Sequence, residues 1–294
     1  MSAMEDDASG TERGFSLKLL PPAYASVMLG LFFLVPLGIM LAVSFFHRVE
    51  GAFYEPSFEL TNYARFLDAF FIRILAFSIG LSISAAVIAV LIAFPFTYSL
   101  TRARRGTQIF ALVFLLAVLS LSEVIIGFSW STLLSRTAGV SNLFVAVGLF
   151  ERSAAYYPSL PALLLGLVYL SFPYTVLVLY PALSRLDPEL SEAARMMGAS
   201  PVRTFFTVVV PVMKRTIIST IILAFVFTLG AYILPQTLGK PPHWTLSVHI
   251  TDQAIFEANL PFAAAMAILL LLVSLVMVAI TLLMGKEDAA GGKA

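Results

Sequence analysis

The sequence predicts an all-α membrane protein, a bundle of six transmembrane helices. Three observations carry that prediction. Of the 294 residues, 60% are hydrophobic and 12% charged, where an average soluble domain carries about 25% charged residues. Six separate stretches are apolar over the roughly 20 residues that a bilayer-spanning helix needs. The segments between them are too short to fold as domains, so the apolar surplus must meet lipid.

The elements follow in chain order. Residues 1–18 are polar and acidic and lack the pattern of a signal peptide, so they read as a cytoplasmic tail. Residues 19–46 form the first span, uncharged and containing Pro36. Residues 47–73 form an outer loop, in which the run from Ser57 to Phe71 suits a surface helix. Residues 74–285 hold a five-helix core. Its spans are 74–100 with Pro95, 109–135 with the single charge Glu123, 156–184 with four prolines, 216–239 with Pro235, and 260–285 with Pro261. Proline is tolerated inside a span because neighbouring helices re-satisfy the freed carbonyls. Residues 139–150 are too short to cross and read as an interfacial helix capped by Ser141. The loop 240–259, with His243, Trp244 and His249, reads as solvated. Residues 286–294 form a second cytoplasmic tail.

Lys and Arg set the orientation. With the N-terminus inside, twelve of the 18 lie on the cytoplasmic side, including the tight cluster Arg102, Arg104 and Arg105. Both termini and the loop 185–215 then face the cytoplasm. Small residues at helical spacing, Ser78, Ser82 and Ala86, then Ala85, Ala89 and Ala93, then Ala263 and Ala267, mark helix contacts.

The cytoplasmic loop has a legible grammar. Asp187 can cap a helix that starts at Pro188, and Ser200 a second that starts at Pro201. Gly198 between them permits the positive φ of a sharp turn. Ala193 and Ala194 are small enough for another protein to approach the backbone. Met196 and Met197 are adaptable apolar groups suited to a contact surface.

This loop resembles the EAA motif of ABC-importer permeases. The match rests on Glu192-Ala193-Ala194, Gly198 four residues later and Pro211 thirteen after that, with Asp187-Pro188-Glu189 before and Ala199-Ser200-Pro201 after the glycine. The resemblance runs from about Phe58 to Met284. The wider layout is similar to spermidine/putrescine permeases in FELTNYARFLD, the Arg102–Arg105 turn and LGAYILPQTLG. The resemblance implies a type I importer bundle in a bacterial inner membrane. It also implies a second permease, similar or identical, a pair of ATPase subunits that bind ATP and Mg, and an extracytoplasmic solute-binding protein. Glu192, Ala193, Ala194, Met196, Met197, Gly198, Ala199 and Arg203 would dock the ATPase. Relatives of this layout also handle opines, sugars, amino-acid-like and anionic solutes.

Glu123 is the expensive residue. A carboxylate within a span costs about 2.5–3.5 kcal/mol on insertion scales and needs a partner. Its helix face continues to Gly127 and Trp130, roughly 10 Å further outward in a straight helix. Charge pairing with an indole nearby suits an organic ammonium. An equally weighted reading protonates Glu123 or bonds it to a neighbouring helix. Tyr169, Tyr174, Thr228, Tyr232 and Gln236 are further substrate-path candidates.

Other chemistry is missing from the sequence. It has no phosphate-binding Gly-Lys-Ser/Thr loop, no His-Glu-x-x-His and no Gly-x-Ser-x-Gly. The chain is therefore expected to be non-catalytic, with no metal or cofactor of its own, and a net charge of +1 offers nothing to nucleic acid. An ion-coupled secondary transporter using Glu123 is the alternative, although no inverted repeat is visible. An intramembrane hydrolase is disfavoured by spans that hold no His or Asp.

Overall fold

The computed structural model describes residues 26–49, 51, 54–137, 139–148 and 152–291. The expected N-terminal tail, the first seven residues of the first span and residues 292–294 lie outside the described residues. Five helices are each long and apolar enough to cross a membrane: α1 Ser26–Val43, α3 Ala69–Thr101, α7 Leu160–Ser184, α9 Pro201–Leu229 and α12, which runs Leu260–Gly291. Between α1 and α3 lies the short α2, Thr61–Phe66, within the stretch expected to form a surface helix. Asn62 Nδ2 donates to Ser44 O and Phe46 O at 3.0 and 3.1 Å, which serves carbonyls at the end of α1.

The third expected span is not one helix. It consists of α4, Arg105–Leu119, and α5, Glu123–Leu133, bent by 94° at the break between them. Leu-Ser-Leu-Ser-Glu explains the break. Ser122 leaves the helical region with ψ 140° and accepts from the Val124 N–H, the N-cap that starts a new helix. The pair runs beside α7 towards both of its ends: the Tyr156 N–H, just before α7, donates to Leu134 O, just after α5, at 3.0 Å. Gln108 near the start of α4 is tied to Tyr180 near the end of α7, while Ser159 at the start of α7 donates its N–H to Leu238 at the opposite end.

The fifth expected span is shifted. Its helix starts at Pro201, fifteen residues before the expected Thr216, and stops at Leu229. The chain bends at Gly230 and Ala231 and restarts as α10, Ile233–Leu238. Pro235 therefore occupies the first turn of a short helix, where its missing N–H costs little.

The core explains the packing. Ala85, Ala86, Ala89 and Ala93 of α3 are fully buried, as small residues at helix contacts should be. Around them sit Leu163, Leu167, Val176 and Leu179 of α7 and Ala224 and Phe225 of α9. Helix α1 has no buried residue over its described length and packs on α12 along a groove lined by Pro36, Met40, Ala263 and Ala267.

The segment 240–259 is folded into the bundle rather than solvated. Helix α11, Leu246–Thr251, buries Leu246 and Val248 completely. Leu246 N–H donates to Ser78 Oγ at 2.8 Å, and Ser247 Oγ to Leu229 O at 2.8 Å. His249 lies edge-on to Phe70 and Trp244. Burial pushes its imidazole below the ordinary range, and the Asp252 carboxylate partly opposes this. The remaining short helix is α6, Val140–Ala146. Its N-cap is Gly139, without a side-chain cap, while Ser141 is buried inside it, so the expected Ser141 cap is absent. The expected end of that helix at Phe150 lies outside the described residues.

Candidate functional site

Two sites emerge, one at mid-depth and one at an end of the bundle. The first is built from the two helix breaks. Glu123 is the first residue of α5, and its Oε1 accepts the Leu234 N–H at 3.0 Å, in the first turn of α10. One carboxylate thus serves the starts of two helices, where unpaired N–H groups and the positive dipole ends favour an anion. Each break also leaves a helix C-terminus, that of α4 at Leu119 and that of α9 at Leu229. Leu119, Glu123, Val226, Phe227, Gly230 and Ala231 line one cavity of about 490 Å³, which Tyr169 and Pro173 of α7 close from the other side. The cavity is therefore bordered by one carboxylate, held at the starts of two helices, and by aromatic side chains. A carboxylate beside aromatic rings is a pairing that suits a cation.

The candidate residues separate in space. Glu123 and Tyr169 line the cavity. Trp130 does not. It lines a neighbouring cavity of about 290 Å³ and meets Tyr169 edge-on at 5.5 Å. Because α5 turns 94° from α4, Trp130 is not carried outward along the line of α4, as a straight helix would have required. Tyr174 stacks on Phe227 at 4.9 Å and so supports the wall. Thr228 is buried and donates to Ala224 O at 2.9 Å and to Ser82 O at 3.4 Å, a bond between α9 and α3. Tyr232 is the N-cap of α10 and Gln236 lies within it. Phe227, Leu119 and the break at Gly230 were not singled out in the sequence. The small pair Gly230-Ala231 before a proline-containing run was the available signal.

Gly127, one turn along from Glu123, holds α5 and α10 together. A Cβ there would stand 2.8 Å from Thr237 Oγ1. Gly127→Ala is expected to lower the thermal stability of the purified protein by about 1–3 kcal/mol, the usual cost of overpacking. Adding Thr237→Ala should restore most of the loss in the same melting experiment.

The second site is the loop at the end of the bundle. Helix α8, Pro188–Met196, starts as expected: Asp187 accepts from the Glu189 N–H at 2.9 Å. It ends at Gly198, φ +84°, with Ala199 N–H donating to Ala194 O and Gly198 N–H to Arg195 O. These are the two bonds of a Schellman C-cap. Ser200 accepts from the Arg203 N–H at 3.3 Å. The helix that Ser200 caps is not separate, however, but the first turn of α9. Phe205–Val209 forms a π-helical stretch within it.

Exposure sorts the loop residues. Met196 and Met197 are 89% and 84% exposed, and Glu192, Ala193, Arg195, Gly198 and Arg203 also face outward. Ala199 is half-buried. Ala194 is 5% exposed and faces its own bundle, so it is not a point of close approach for another protein. Its small size instead lets α8 lie against the start of α9.

A helical bundle with interrupted spans around a cavity, and a short exposed helix at one end, is the architecture of a membrane transport subunit. The chain belongs to the family of binding-protein-dependent transport system inner membrane components, which residues 24–286 match. It is the permease subunit of an ABC importer, and the secondary-transporter alternative is set aside. The spermidine/putrescine transport system permease protein PotB of Escherichia coli strain K12 is 26% identical over 243 residues, covering 83% of this chain and 88% of that one. The xylose/arabinose import permease protein XacH of Haloferax volcanii is 30% identical over 179 residues, 58% of this chain and 56% of that one. Among solved structures, a bacterial ABC transporter that imports the acidic polysaccharide alginate has a TM-score of 0.68. The match has 20% identity and covers 92% of this chain and 95% of that one.

Proposed function

We propose that this permease passes a polyamine or a related small organic cation, and that Glu123 is the charged group in its path. The observation that carries the reading is the Glu123 carboxylate on a single cavity between the two helix breaks, faced by Tyr169 and Phe227. The similarity to PotB supports it from a different direction. The sugar and alginate importers among the relatives argue against reading the solute from the fold, which makes the cavity's charge the deciding feature.

The rest of the machine lies outside this chain. Two ATPase subunits bind ATP and Mg, and a second permease completes the path. A solute-binding protein delivers from the far side, and an alginate transporter of this fold has been solved with its ligand-bound periplasmic protein. The loop 185–215 and both termini face the cytoplasm, following the bias of Lys and Arg. ATP-driven closure of the ATPases moves α8, and the bundle turns from inward to outward access.

Reconstitution tests this reading. The permease, its ATPase, its partner permease and its binding protein in liposomes should take up labelled putrescine or spermidine on ATP addition. Uptake of xylose or of an acidic oligosaccharide in place of polyamine would overturn the solute assignment and leave the family membership standing.

A further inference from the structure

A second groove lies where α3 ends and α9 begins. It measures about 340 Å³ and is lined by Pro95, Tyr98, Ser99, Val202, Phe205 and Phe206. Its floor is aromatic: Phe205 meets Tyr98 at 5.2 Å and Phe206 at 5.1 Å. Phe206 and Val202 are largely exposed. At its rim stands Arg102, one helical turn beyond Tyr98 on the same face of α3. Its guanidinium lies 3.6 Å over the Tyr98 ring, and Nη1 donates to Tyr98 O at 3.4 Å. Among the described residues no carboxylate pairs with it.

An apolar trough that ends in an unneutralised, oriented guanidinium fits an amphiphile with an anionic head. A tyrosine with an arginine one turn further is also the sequence of groups met at a membrane–water interface, where the ring sits at headgroup depth and the cation beyond it. We propose that this groove holds an anionic phospholipid, with an acyl chain along Phe205 and Phe206 and the phosphate against Arg102. A soluble anion has no use for the aromatic floor, and a zwitterionic lipid gains nothing net from an unpaired arginine. The site lies on a mechanical element. Phe205 and Phe206 open the π-helical stretch of α9, and Pro201 and Val202 belong to the turn that Ser200 caps at the end of the coupling loop. π-helical segments gather at functional positions. A lipid in the groove braces the start of α9 and so links membrane composition to coupling, whatever the transported solute is.

The assembled transporter is placed in nanodiscs of mixed phosphatidylglycerol and phosphatidylcholine, and the retained lipid is measured by native mass spectrometry. The wild type should retain phosphatidylglycerol preferentially. Arg102→Gln should lower that preference about fivefold, the worth of one arginine facing an anionic surface. Arg104→Gln, a charge change two residues away that does not border the groove, should leave the preference intact. Phe206→Ser should lower retention with all charges present. Equal losses for Arg102→Gln and Arg104→Gln would mean a diffuse surface charge and overturn the site. Displacement of the bound lipid signal by inorganic phosphate, or no preference in the wild type, would overturn it as well.

Discussion

Replacing Met196 and Met197 together by aspartate is expected to abolish ATP-driven uptake and to release the ATPase from the purified complex. Both side chains are almost fully exposed at the end of α8, and among the described residues nothing covers them. Two large apolar groups held out in water by a capped helix are costly unless another protein takes them up. Fully burying one methionine contributes about 1.5–3 kcal/mol. Losing both, and desolvating two carboxylates in their place, removes any realistic docking affinity. The fold of the loop should survive, because neither methionine packs inside and the caps at Asp187, Gly198 and Ser200 remain. The ATPase co-purification yield checks the loss of docking, and solute-binding protein capture checks that the permease is still folded. Retained ATPase with normal uptake would move the contact away from this helix. A charge at Ala194 is a poorer test. It would wedge α8 off its own bundle and destroy the loop before docking could be judged.

What the sequence made legible, and what it hid, divides by range. The loop 185–215 was readable because each of its signals is local. Asp-Pro, Gly and Ser-Pro at helix ends act within four residues, and the caps formed where those residues stand. The small-residue face of α3 was readable for the same reason: a fixed period on one helix needs no knowledge of the neighbour. The breaks were not readable from hydropathy, since Leu119-Ser120-Leu121-Ser122 and Leu229-Gly230-Ala231-Tyr232 carry no charge and are too short to interrupt an apolar stretch of spanning length. Their signals were the serine before Glu123 and the Gly-Ala pair, which are weak alone. They become decisive only in three dimensions, where Glu123 spans from one break to the other over 111 positions of sequence. The packed state of 240–259 was hidden similarly. Its polar residues suggested water, but Ser247 and the Leu246 N–H spend their bonds on α9 and α3.

That long-range bond sets up the sharpest experiment. The proposed function gives Glu123 two separable duties: its charge meets the solute in the cavity it lines, and its oxygen accepts the Leu234 N–H. Glu123→Gln keeps an acceptor of the same length and removes the charge. It should leave complex assembly and melting temperature close to wild type while abolishing polyamine uptake. A charge–cation contact partly shielded from solvent is worth more than one in bulk water, and losing one of about 2.7 kcal/mol already costs roughly a hundredfold. Glu123→Ala removes both duties. It should also lower stability by about 1–3 kcal/mol, the cost of a buried N–H left without a partner. The comparison decides between a path residue and a strut. If Glu123→Gln transports polyamine at the wild-type rate while Glu123→Ala melts early, the carboxylate is only the cap of α10, and the solute reads its charge elsewhere. If both fail to transport and only Ala is unstable, the same atoms that tie the two breaks together also hold the solute. Cation arrival then pulls on a bond that joins α5 to α10, so occupancy of the cavity and the geometry of the two half-helices become a single equilibrium.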